Sequence, residues 1–146
     1  MPIKPENRHR YPADWPQIRL RILSRAGYRC EHPGCRARHH AVGEWVKTPQ
    51  GDRFKPTGGN RAHDQAGRGL LPYLEARALA SASLHARLVV IVLTIAHLDH
   101  QPENCHPDNL RALCQRHHLS HDAQHHRQTA YATRKAKANT ADLFGT

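Results

Sequence analysis

At 146 residues, 38% hydrophobic and 5% aromatic, the chain can build one modest core, so a staple besides packing is expected. Its 22 Lys and Arg against 12 acids give a formal charge of +10, which points to a polyanionic partner, nucleic acid first. The opening MPIKPENRHRYP has no apolar signal region, and the one sustained apolar run, Leu88 to Ile95, is far shorter than the roughly 20 residues of a membrane helix, so a cytoplasmic protein without a membrane partner is expected.

In chain order, a first helix is expected from Asp14 to Ala26, with Asp14 as N-cap, Pro16 in the first turn and Gly27 as the stop. Trp15, Ile18, Ile22 and Leu23 recur at helical spacing and form its buried stripe. Cys30-Glu-His-Pro-Gly-Cys35 follows, two thiols flanking a Pro-Gly turn. Residues 43–69 are rich in turn formers without a period and read as a loop or hairpin excursion. Leu70 to Ser83 has helix-forming composition, with Pro72 confined to a first turn. Leu88 to Ile95 reads as a buried strand, and a polar loop runs from His97 to Asp108. A helix is then expected to start near Asn109 or Leu110, with Leu110, Leu113 and Cys114 facing inward. Beyond Gln128, Arg134, Lys135 and Lys137 among Ala and Thr read as a fraying helix or basic arm, and no internal repeat is present.

Four cysteines beside 14 histidines suggest metal ligation in a reducing compartment. Cys30 and Cys35 form one half-site and Cys114-x2-His117 a second, together a Cys3His set for structural Zn2+, which takes thiolate and imidazole ligands in tetrahedral geometry. Spacing alone does not pair the halves. His32 or Cys105 are alternative ligands, and a Cys30–Cys35 disulfide is the competing use. Cys105 otherwise reads as a free thiol.

The order strand, His97, loop, Asn109-Leu110, Cys114-x2-His117-His118 resembles the HNH endonuclease family, nearest its small phage and mobile-element members. The resemblance covers residues 11–35 and 88–126 and is absent over 43–87. It implies an α+β fold: a ββα-metal core stapled by the zinc site, with an N-terminal helix and a basic C-terminal helix or tail. Residues 1–146 are then one domain, comprising a helix and first knuckle (11–35), an insertion (43–87), the ββα core (88–126) and the tail (127–146). The setting it implies is a bacterial or phage-infected cell.

The activity implied is metal-dependent hydrolysis of DNA phosphodiester bonds, by nicking. His97 matches the general base, whose imidazole is mostly neutral at cytosolic pH. Asn109 matches the asparagine that tethers the loop and helps hold the His97 ring, and His118 the last histidine, a ligand of Mg2+ or another divalent cation. Relatives often carry Asp or His just before the base, where this chain has Ala96; Asp99 or Asp122 are the residues to fill that gap, with His121 a weaker one. Asn109 could also serve simply as a helix cap, and His125 and His126 read as a solvated face. Phosphate contacts are sought from Arg19, Arg21, Arg25, Arg111, Arg116 and the tail. The rival reading is a non-catalytic zinc-stapled DNA-binding module, or an accessory to phage packaging proteins, kept open by Ala96.

Overall fold

The computed structural model of the chain describes residues 3–35, 37–56, 73–82 and 87–144. The fold is α+β, with two small antiparallel sheets and a long C-terminal helix. A 3-10 turn over Pro5–Arg10 leads into helix α1, Trp15–Arg25. Asp14 sits at the N-cap position, but its side chain makes no cap bond and instead lies 4.0 Å from Arg21. Ile18, Ile22 and Leu23 are buried, with Trp15 packed against them, as the helical spacing predicts. The helix stops where Gly27 and Tyr28 take positive φ, turning the chain toward the knuckle.

Strands β1 (Val42–Thr48) and β2 (Gly51–Pro56) pair in a tight hairpin. Gly51 at its turn has φ +112, a conformation that glycine accepts without steric cost. This hairpin accounts for 43–56 of the excursion expected over 43–69, and residues 57–69 lie outside the described residues. Helix α2, Tyr73–Ala82, falls within the expected helical stretch and packs against β1 and β3. The ends of that stretch, with Pro72, lie outside the described residues.

The apolar run Leu88 to Ile95 is not one strand. Val89–Val90 (β3) pairs with β1, whereas Thr94–His97 (β4) belongs to the second sheet. Between them Ile91 and Leu93, 1% and 0% exposed, cross from one sheet to the other through the middle of the core. The crossing is fixed by Ile91 N–H donating to Ala41 O (2.8 Å) and His40 N–H to Ile91 O (2.7 Å).

The second correction concerns residues 109–113. Pro107–Asn109 is a 3-10 turn, and Leu110–Leu113 is strand β5, antiparallel to β4 with His97 opposite Leu110 and Ala96 opposite Arg111. Leu110 and Ala112 are buried while Arg111 is exposed, a period-2 pattern that the β4 edge selects. The helix begins only at Gln115, as α3, Gln115–Phe144. Helix α1 packs on β4 and β5, and the first turns of α3 pack on the same pair. Among the described residues, no helix is long and apolar enough to cross a membrane.

Candidate functional site

Two clusters of ligating side chains stand out. The first joins the knuckle to the junction of β5 and α3: Cys30, Cys35, Cys114 and His117 bring their donor atoms within 4.8 Å of one another, close enough to hold a metal ion and compatible with a structural zinc. His117 Nδ1 lies 3.2 Å from Cys114 Sγ and 3.6 Å from Cys30 Sγ, against roughly 3.5 Å for a sulfur–nitrogen edge around tetrahedral zinc. Backbone contacts hold the halves in register, with Glu31 N–H donating to Ala112 O (2.8 Å) and Cys114 N–H to Cys30 Sγ (3.3 Å). Glu31 accepts from Ala112 N–H (2.7 Å) and pairs with Arg25 (2.9 Å), which also donates to the carbonyls of Pro107 and Leu110.

Side-chain hydrogen bonds from Cys114 and Cys35 push the Cys30 thiol far below its ordinary value, while those with Cys30 and Cys35 push Cys114 up. A dication held between the three sulfurs would let all of them ionise. All four cysteines are free. His32 stacks flat on the His117 ring (3.8 Å between centroids, 4° apart), covering the cluster rather than joining it. Cys105 lies elsewhere, 3.8 Å from His97 Nε2.

The second cluster lines an open groove of about 670 Å³ between the N-terminal turn, β4 and α3. His97 ends β4 on its floor, 9% exposed, with its ring stacked on Trp15 (5.2 Å, 21°) and edge-on to Tyr11 (5.8 Å, 75°). Burial pushes the pKa of this imidazole below its ordinary value. His118 enters from α3: its Nδ1 is bonded to Thr94 Oγ1 (2.5 Å), and its Nε2 is 3.3 Å from Asp122 Oδ2. Burial lowers the His118 pKa too. The other carboxylate oxygen of Asp122 faces His100 Nδ1 at 3.4 Å.

Asn109 does not touch the His97 ring. Its side chain donates to Asp99 Oδ1 (2.9 Å) and to Asn104 O (2.8 Å), and accepts from Asp99 N–H (3.2 Å). Asp99 in turn accepts from Gln101 N–H and Asn104, and the bond from Asn104, with the others, holds its carboxyl down at about 2. Asp99 is therefore an exposed knot in the loop, and the structure does not bring it into the cluster around Asp122, which it does bring to His118. Ala96, 1% exposed, offers no donor.

Among the basic residues, Arg25 is spent on the knuckle, and Arg116 pairs with Asp52 while lying over Trp45 at 5.1 Å. Arg19 does line the groove, with Lys4 and Arg10. Arg10 is bound to Glu103 (2.6 and 3.1 Å), clamping the N-terminal turn onto the loop. Sequence reasoning missed Arg10, Tyr11 and His100 as groove residues. The repeat His97-Leu-Asp-His100 was the available signal for the last.

No protein-family model, no curated protein and no solved structure matches the chain.

Proposed function

We propose that this chain is a metal-dependent endonuclease of the HNH type that hydrolyses DNA phosphodiester bonds, cutting one strand per event. The observation that carries the proposal is the groove itself, which His97, His118 and Asp122 line together with Lys4, Arg10 and Arg19. In this reading His97 takes the proton of the attacking water, and its burial keeps the ring neutral for that task. Trp15 and Tyr11 hold the ring in place, and the Asn109–Asp99 knot fixes the loop that follows it. His118 and Asp122 are the residues to hold a divalent cation, Mg2+ or another, which supplies charge neutralisation at the phosphate and the leaving 3′ oxygen when bound. The groove's basic rim gives the phosphate backbone its electrostatic contacts. The Cys3His cluster holds a structural Zn2+ that pins the knuckle to the strand pair.

One observation favours a second reading, a non-catalytic DNA-binding module or phage packaging accessory: buried Ala96 leaves no ligand where relatives of the resembled family often carry one. Incubation with supercoiled plasmid and Mg2+, Mn2+ or Ni2+ separates the two. Metal-dependent nicking, stopped by EDTA and by His97→Ala, is the expected result; plasmid binding without cutting in any of these metals establishes the module instead.

A further inference from the structure

The carboxylate of Asp122 is the meeting point of more imidazoles than the HNH resemblance supplies. His100, His121 and Asp122 bring their donor atoms within 4.8 Å of one another at the mouth of the groove. His100 reaches this position only because its backbone takes φ +57, the left-handed region that residues with a side chain rarely enter. The Asn109–Asp99 knot immediately before it enforces that turn. The ring of His121 is fixed by Nε2 donating to the carbonyl of His97 (3.3 Å), the kind of backbone bond that metal-ligating imidazoles commonly make through their other nitrogen. All three residues are half-buried, and His100 and Asp122 line the groove, which is open enough for water or a phosphate oxygen to complete a coordination shell.

We propose that His100 and His121 join Asp122 in holding the cation of the groove, the one metal site besides the Cys3His cluster among the described residues, and make it selective for a borderline divalent transition ion such as Mn2+, Co2+ or Ni2+ over Mg2+. Two imidazoles and one carboxylate suit such ions, whereas Mg2+ demands oxygen ligands and gives up its water reluctantly. The inference deepens the metal-dependent reading above, but metal binding is measured apart from cleavage. His125 stacks on His100 at 4.4 Å and is not part of the ligand set.

The test is calorimetric titration of untagged protein, already loaded with one equivalent of Zn2+, with Co2+, Mn2+ and Mg2+. One further equivalent of Co2+ is expected, bound at least tenfold more tightly than Mg2+. His100→Asn, which tolerates positive φ, and Asp122→Asn should each weaken it at least tenfold with the melting midpoint of the Zn2+-loaded protein retained, while His125→Gln combined with His126→Gln leaves it unchanged. Absence of the further equivalent, undiminished Co2+ binding in both ligand variants, or equal affinity for Mg2+ overturns the inference. Plasmid assays on the same preparations keep the two readings distinct. Selective Co2+ binding without cleavage sinks the nuclease reading and supports the site; Mg2+-driven cleavage with Co2+ binding indifferent to His100→Asn does the reverse.

Discussion

His97 owes its suitability as a base to its surroundings. An exposed imidazole titrates near 6.5, but here Trp15 and Tyr11 cover the ring, and burial disfavours its protonated form. Because the folded-state pKa is depressed, the neutral form persists as pH falls through 6.5 and is lost only below it. With metal saturating, the nicking rate is therefore expected to fall only at a pH below that at which an exposed imidazole becomes protonated. Trp15→Ala uncovers the ring and should move that fall upward, while Trp15→Phe should largely preserve the wild-type profile. His97→Ala is expected to cost about 10²- to 10⁴-fold in rate, as loss of a general base does, with plasmid affinity in a gel-shift assay unchanged. At this scale the Cys3His set was legible, because two thiols around a Pro-Gly turn and a Cys-x2-His pair offer the ligand types and short spacings that tetrahedral zinc takes. His100 was not: its approach to Asp122 depends on a left-handed turn that no periodicity reports. Asp99 showed the opposite hazard, a carboxylate near the base whose oxygens the loop consumes.

Among the elements, α1 could be read directly because four apolar residues at helical spacing end at Gly27. The segment Leu110-Arg-Ala-Leu113 could not, since its apolar residues satisfy both a helical i, i+3 pair and a strand alternation. The free edge of β4 decided it: pairing residues 94–97 with 110–113 satisfies both backbones, whereas a helix from Asn109 leaves that edge open. Leu110, 1% exposed opposite His97, is the position where this pairing meets the core, and Leu110→Ala is expected to cost about 2–5 kcal/mol in chemical denaturation. Gly43 tests the neighbouring sheet. A Cβ there would stand 2.3 Å from the Lys55 carbonyl oxygen and 2.6 Å from the Phe54 ring, so Gly43→Ala should force the hairpin apart and destabilise by about 1–3 kcal/mol.

For the whole molecule, the core is small, and the zinc proposed for the Cys3His cluster would hold the knuckle to β5 where apolar area is short. Stripping that metal with a strong chelator is expected to abolish cooperative thermal unfolding, and a melt that stays cooperative would show that packing alone suffices. Helix α3 spans 30 residues, about 45 Å, and among the described residues its side chains reach the body between Gln115 and His125. From Gln124 to Asn139 it is exposed and free of acids, with Arg127, Arg134, Lys135 and Lys137 along it. If this arm tracks DNA backbone, truncation after Thr129 should lower the salt dependence of plasmid binding, by about 0.9 in log–log slope for each phosphate that the arm neutralises.

Hydrolysis at phosphorus with departure of the 3′ oxygen, as proposed for this chain, leaves a 5′-phosphate and a 3′-hydroxyl. The direct measurement is treatment of the nicked plasmid with DNA ligase alone, comparing wild type with His97→Ala. The account predicts nicks made only by the wild type, all of them resealed. Nicks that ligase cannot close, or nicking that survives the loss of His97, would contradict it.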